Sequence, residues 1–380
     1  MAQSSLSIAK HFARLRDPRR NHCKLHLLID IIVIALCATI CGANDWQQIV
    51  TFGQRRRDWL KTFLALPNGI PAHDTFERVF DRLDPQAFLA CFQRWVEALT
   101  HALGLKHIAI DGKTMRRSGK TSLKLKPLHI VSAWASEHHL TLGQVAVDDK
   151  SNEITAIPLL LELLDVHGAL VTIDAMGCQK EIAKQIVDAG GDYVLPVKGN
   201  QPSLLADIQQ TMTEVLDHGQ DGVEYQTYET KDKDHGREEE RSYVIVTDLK
   251  KIRNRDEWAE LKVVGMYTST RIIAGKRTDE AHYFIGSRRA DASVDGNTLR
   301  DHWSIENNLH WQLDVTFGED GNRVQRRHGR QNLALLRRLA LSLLKRHSSK
   351  ESMACKRLAA ALDPAFLEEI LSDGSNLGKQ

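Results

Sequence analysis

A chain of 380 residues, 42% hydrophobic and 26% charged, is long enough for two or three domains and has the composition of a globular protein rather than a disordered or fibrous one. Lys and Arg number 51 against 49 Asp and Glu, and the net charge of +2 argues neither for nor against nucleic acid, because local patches decide that. Six scattered cysteines without a Cys-x-x-Cys pair favour a reduced, cytoplasmic setting over a disulfide scaffold or a zinc module.

The opening MAQSSLSIAKHFARLRDPRR is not a signal peptide, since no apolar core follows its first basic residues closely. Residues 1 to about 100 read as helical throughout. The run LLIDIIVIALCATI at 27–40 is fourteen residues long with Asp30 inside it, short of the ~20 that span a bilayer, so it predicts a buried helix and no membrane segment. Cys37 and Cys41, one turn apart on it, read as core filling. A stop at 42–44 precedes a helix over 46–66 that exposes Arg55, Arg56 and Arg57. Asp74 with Glu77 three residues on resembles a capping box opening a helix on Phe76, Val79, Phe80 and Leu83, and Asp84-Pro85 starts a further helix ending near 103–104. Lys10, Arg14, Arg16, Arg19, Arg20 and Lys24, opposed only by Asp17, form either a solvated basic face or a phosphate-contacting one.

From residue 105 the pattern changes. The apolar run 107–110 predicts a buried strand delivering Asp111 at its carboxyl end, and 129–136 with 140–147 predict a hairpin. A helix over 155–166, a strand over 169–173 ending in Asp174, a helix over 179–189 and a strand over 193–197 give strand, helix, strand, which implies parallel pairing. Two strands that each end in an aspartate place both acids at the edge where open α/β sheets hold ligands. The bland alternative for each is an aspartate capping the next turn. Lys113 and Lys198 follow strand ends on the same edge and are candidate phosphate contacts, against the reading of ordinary solvated lysines.

After a helix over 203–218, strand runs at 223–228, 242–248, 261–267 and 281–285 joined by polar loops such as 229–241 predict a β-rich insertion over about 219–297. The stretch LRDHWSIENNLHWQL at 299–313 then reads as one helix. At helical spacing Leu299, His302, Trp303, Leu309, His310 and Leu313 share the face of Glu306, so that acid is expected to point inward and to require a partner. Residues 321–350 hold Arg323, Arg326, Arg327, Arg330, Arg337, Arg338, Lys345, Arg346 and Lys350 and no acid, opposite an apolar stripe of Leu333, Leu336, Ala340, Leu343 and Leu344; this is a one-sided cationic helix suited to a polyanion. A small helix near 354–371 and a polar tail follow.

Asp111, Asp174 and Glu306, without a histidine or cysteine cluster, are hard oxygen ligands that suit Mg²⁺ or Mn²⁺. Two such ions ~3.5–4 Å apart activate a water or a 3′-hydroxyl and stabilise the leaving oxygen of a phosphodiester displacement. Glu319 and Asp320, in a loop-like setting, are the rival third acid.

The segments IAIDGKTMRRS, LVTIDAMGCQKEIAKQIVDAGGDYVLPVKGNQP and HWSIENNLHWQLDVTFGED resemble the three catalytic blocks of bacterial insertion-sequence transposases of the DDE type, most closely the H-repeat-associated group linked to Rhs elements. DPRRNHCKLHLLIDIIVIALCATICGANDW and GIPAHDTFERVFDRLDP resemble that group's associated helical domain, and the likeness runs from about Leu15 to Leu344. It implies an α/β protein with a ribonuclease-H-like catalytic core over 105–347 carrying a β-rich insertion, preceded by an all-helical domain over 1–104 and followed by a helix and tail over 348–380. It further implies Asp111, Asp174 and Glu306 as the metal triad for two Mg²⁺ or Mn²⁺ ions, double-stranded DNA (element ends and target) as partner, and a homodimer to bring two ends together. Related transposases often carry Tyr, Arg and Lys seven before, four before and seven after the glutamate; here Leu299, His302 and Leu313 stand there, and Arg300 or His310 is the candidate replacement for phosphate contact. The alternatives are an inactive DNA-binding remnant and a metal-dependent nuclease without strand transfer.

Overall fold

In the computed structural model the described residues are 7–100, 104–119, 125–147, 151–218, 224–234, 237–273, 276–322, 324 and 328–372. Helices α1 (Ser7–Phe12), α2 (Leu28–Ile40), α3 (Trp46–Arg55), α4 (Arg57–Leu60), α5 (His73–Arg82) and α6 (Pro85–Thr100) come first. They are followed by β1 (His107–Met115), β2 (Leu128–Ala135), β3 (Leu140–Val147), α7 (Glu153–Leu161), β4 (Leu170–Ile173), α8 (Lys180–Asp188), β5 (Asp192–Val197) and α9 (Pro202–His218). Strands β6 (Tyr225–Asp234), β7 (Arg237–Val246), β8 (Val263–Ile273) and β9 (Lys276–Gly286) precede α10 (Ala292–His302), and α11 (Gly329–Arg346), α12 (Met353–Leu362) and α13 (Pro364–Ser372) follow. The architecture is mixed α/β with a large mixed sheet. Among the described residues no helix is long and apolar enough to cross a membrane.

Two compact units share β1. The first comprises Met1–Gly104, Gly112–Ser151 and Ile305–Gln380. Its centre is α2, buried from Asp30 to Ile40 because the segment is apolar all round. Asp30 is accommodated there by the Leu66 N–H at 2.9 Å, while burial pushes its carboxyl pKa up. Helix α11 packs on α2 and α5, and its Asn332 donates to Phe80 O and Leu83 O at 2.8 and 3.0 Å, closing the carboxyl end of α5. Arg357 of α12 donates to Thr39 O and Ile40 O at the end of α2 and sits 4.2 Å over the Phe317 ring.

Several expectations change in this unit. The helix over 46–66 breaks at Arg56 into α3 and α4. The capping box does not form, because α5 begins at His73 after Ala72; Asp74 lies inside the first turn and pairs with His73 at 2.9 Å and Arg78 at 3.4 Å. Residues 7–100 carry only helical elements among those described, and they fall in one compact unit with β2, β3 and α11–α13.

The second unit comprises Leu105–Asp111 and Asn152–Ser304. Strand β1 pairs with β4 in parallel, from His107↔Leu170 to Ile110↔Ile173, and β4 pairs with β5 in parallel. Strand β5 then meets β9 antiparallel, and β9, β8, β7 and β6 follow as an antiparallel meander. Leu299 of α10 joins Tyr243, Ile245, Val263 and Phe284 in the core. Much of the polar stretch 229–241, expected as a loop, belongs to β6 and β7. No apolar alternation marks it; it pairs instead through facing opposite charges, Lys231 with Glu240 at 2.9 Å and Lys233 with Glu238.

Candidate catalytic and nucleic-acid-binding site

Asp111 is not the last residue of its strand, since β1 runs on to Met115. The ladder with β4 nevertheless ends at Ile110↔Ile173, so Asp111 and Asp174 are the next positions on neighbouring parallel strands about 4.8 Å apart. Both are half-buried. Asp174 also caps the turn after it, its Oδ1 accepting from Met176 N at 2.9 Å and Gly177 N at 3.3 Å; Oδ2 takes part in neither bond. That turn requires glycine at 177, because a Cβ there would stand 2.2 Å from Ile173 Cγ2. Asn200 and Gln201 brace the loop by donating to Ala175 O at 2.7 Å and Cys178 O at 2.9 Å. Burial, and secondarily repulsion from Glu153, raises the Asp174 pKa against the opposing pull of its two amides and Lys198. A cation at this edge would relieve that cost. Glu153, at the start of α7, carries no distinguishing sequence pattern and was not anticipated.

Glu306 departs from expectation. The helix over 299–313 is not continuous: α10 ends at His302, and Glu306–His310 and Gln312–Thr316 form wider π-turns, with Trp311 N–H bonding Glu306 O and Phe317 N–H bonding Gln312 O. Five-residue hydrogen bonding shifts the faces, so Ile305, Leu309, His310 and Leu313 are buried while Glu306 has a side chain 54% exposed. The acid therefore points outward, ready for a ligand instead of a buried partner. His310 Nδ1 lies 3.8 Å from Glu306 Oε2, one turn on. An acid and an imidazole so placed can share a divalent ion.

The basic candidates separate into three groups. Lys113 is buried and surrounded by carboxylates, 2.5 Å from Asp314, 3.7 Å from Glu319 and 3.5 Å from Asp320, which leaves it no route to a phosphate. Arg337 and Arg338 are likewise inside the first unit: Arg338 donates to Glu319 at 3.1 Å and to Ser132 Oγ at 3.3 Å, and burial lowers the Arg337 pKa to about 10. The expected cationic face of α11 is thus partly a buried charge network. The same network disposes of Glu319 as a rival metal ligand, since Arg338 and Lys113 already occupy it. Arg330 is half-buried and donates to Lys126 O at 3.0 Å. Arg323, Arg326 and Arg327 lie outside the described residues. In the amino-terminal cluster Arg19 is buried against Asp17 at 2.8 Å, whereas Lys10, Arg14, Arg16, Arg20 and Lys24 are exposed.

Lys198 and Arg300 have a different setting. In the second unit they line one cavity of about 170 Å³ with Arg241, Arg271 and His282, walled by Tyr243, Tyr267 and Trp303. Glu239 compensates Arg241 and Arg271 at 2.7 and 3.1 Å, and Asp232 pairs with Arg300 at 2.5 Å. Lys198 is exposed and bears on the Asp174 carboxyl, and Trp303 is 53% exposed. The lining is mixed: Glu280 stands among the cations, and with Tyr243 and Tyr267 buried Trp303 is the exposed ring. Lys198 and Arg300 stand out by sequence position, whereas Arg241, Arg271 and Trp303 join them only because the strand register assembles the cavity. His302 is buried with Nδ1 2.9 Å from Thr172 Oγ1, so it faces β4.

The chain matches the family described as Transposase DDE domain over residues 103–343 and the one described as DDE_Tnp_1-associated over residues 9–96. It is 37% identical to YncI of Escherichia coli O157:H7, named as a transposase, over 98% of this chain and 96% of that one. It is 36% identical to YhhI of Escherichia coli K12, named as an H repeat-associated transposase, over 97% of this chain and 98% of that one. The cryo-EM structure of a piggyBac transposase synaptic complex with hairpin DNA aligns with a TM-score of 0.37 and 11% identity, over 100% of this chain and 82% of that chain, too distantly to inform the site.

Proposed function

This chain belongs to the family of transposases with a DDE domain, and on that premise we propose that Asp111, Asp174 and Glu306 together hold two divalent ions, Mg²⁺ or Mn²⁺, for cleavage and joining at insertion-sequence ends. It is a DNA transposase; its family implies a polynucleotidyl transferase and generally uses divalent metal ions. The observation that carries the proposal is the β1/β4 register, which sets Asp111 and Asp174 side by side just past the last paired residues. The three carboxylates fit, because hard oxygen ligands prefer these ions, and the His310 imidazole beside Glu306 is a neighbouring nitrogen donor. When bound, such ions supply Lewis acidity and a lowered pKa for the attacking water or hydroxyl. The chain's own part is to present the carboxylates: the Asp174 turn fixes one oxygen by two amide bonds, and the exposed Glu306 supplies an acid from outside the sheet.

The rest of the reading follows from this. The order β3-β2-β1-β4-β5 supports a ribonuclease-H-like core within 105–347, with β6–β9 as the insertion before the third acid. Lys198 and Arg300 contact strand phosphates in the aromatic-walled cavity, and exposed bases of the 1–104 region add contacts to double-stranded DNA. Bringing two element ends together calls for a homodimer, and the scattered free thiols suit the cytoplasm.

The test is a cleavage and joining assay with Mg²⁺ on the element's own terminal DNA. Joined product is expected; nicking without joining identifies a nuclease, and binding without either identifies a remnant. Asp111→Asn and Glu306→Gln should each abolish cleavage while leaving DNA binding intact, and full cleavage by either overturns the triad.

A further inference from the structure

A buried hydrogen-bonded chain runs through the second unit. His107 opens β1, Thr172 lies in β4 two residues before Asp174, and His302 ends α10 four residues before Glu306. His107 Nε2 is 2.8 Å from Thr172 Oγ1, which is in turn 2.9 Å from His302 Nδ1, and all three residues are buried. We propose that this Thr172-centred chain is a positioning device for the metal-binding carboxylates, fixing the strands of Asp111 and Asp174 and the end of the helix that leads to Glu306; it rests on the triad reading given above.

A hydroxyl has one hydrogen, so Thr172 donates to one ring nitrogen and accepts from the other. One imidazole must present N–H and the other its lone pair, which couples the two tautomers and constrains the orientation of both rings. Packing alone could hold three apolar groups here at many rotations; two directional bonds from one oxygen admit few. Register strengthens the case, since Ala109↔Thr172 pairs the strands at this level and each aspartate lies just two residues farther along its strand. In extended backbone residues two apart share a face, so Thr172 and Asp174 project to the same side of the chain. Burial, with His302 as a secondary cause, lowers the His107 pKa to about 3, and the ring stays neutral as the chain of bonds requires.

Thr172→Val keeps the shape and removes both bonds, Thr172→Ser keeps the hydroxyl, and Asp111→Asn serves as the control. Each full-length variant is titrated with Mn²⁺ alone, followed by loss of the free-ion EPR signal, and then assayed for cleavage of the element's terminal DNA. Thr172→Val is expected to weaken Mn²⁺ binding and lower kcat by about 10–100-fold with KM for DNA unchanged, as for outer partners of metal ligands, and Thr172→Ser to restore both. His302→Asn, whose amide reaches the place of Nδ1, and His302→Leu, which cannot bond, repeat the comparison from the other end if the valine variant fails to fold. Parent-like Mn²⁺ binding and kcat in Thr172→Val, with only a lower melting temperature, overturns the inference provided Asp111→Asn loses both. Retention of both by Asp111→Asn instead overturns the triad, and the positioning role with it.

Discussion

Replacing Arg338 with alanine is expected to lower stability while leaving the salt dependence of DNA binding unchanged. By sequence the arginine belongs to a cationic face for DNA; in the fold both Arg338 and Glu319 have fully buried side chains 3.1 Å apart. Arg338→Ala leaves the Glu319 carboxylate in the interior, and breaking a buried pair from one side costs about 3–5 kcal/mol. Lys113, 3.7 Å from the other Glu319 oxygen, still faces it, which sets the loss at the lower end, about 3 kcal/mol. For a unit of this size that lowers the melting temperature by roughly 6–12 °C. The salt dependence of DNA binding should not change, since a buried guanidinium displaces no counterion. Differential scanning calorimetry and binding titrations at several salt concentrations measure the two effects separately. A variant that melts like the parent but loses about one from the salt slope would refute the burial reasoning and restore Arg338 as a phosphate contact.

Lys198→Ala and Arg300→Ala should do the reverse, each reducing the salt slope by about one with the melting temperature nearly unchanged, because both sit at an open cavity. Gly177→Ala forces a Cβ to 2.2 Å from Ile173 Cγ2 and should displace the Asp174 turn, costing about 1–3 kcal/mol in urea denaturation together with cleavage activity. Asp295, fully buried on α10, has its pKa raised from 3.8 to about 7, mainly by burial, with Arg288 opposing and Asp291 and Asp192 adding. The unfolded carboxyl ionises near 3.8 while the folded one keeps its proton to about 7, so stability falls as pH rises through that window and levels above it, by about 4 kcal/mol in all. Asp295→Asn should therefore match the parent near pH 4 and exceed it at pH 8; a parallel pH profile for the two proteins would dismiss the shift.

Elements whose signals are local are legible in the order of residues alone. The run at 27–40 is apolar on every side, so its helix is buried wherever it packs, and the strands at 107–110, 169–173 and 193–197 declare themselves by short apolar blocks with a helix between the last two. Two strands joined through a helix must pair in parallel, as β4 and β5 do, whereas the nearness of Asp111 and Asp174 is expected from each acid following the apolar block of its strand. Tertiary structure decided what depends on partners remote in sequence. Whether an arginine on α11 faces water or an interior glutamate cannot be read from its spacing, because both readings produce the same pattern of basic and apolar residues. The face of Glu306 turned on two π-turns, whose wider hydrogen bonding has no composition signal and reverses an expectation built on 3.6 residues per turn. The strands through 229–241 are held by charges facing across a hairpin, and His302 is held by a threonine on β4: contacts made only once the chain has folded, and invisible until both partners are in place.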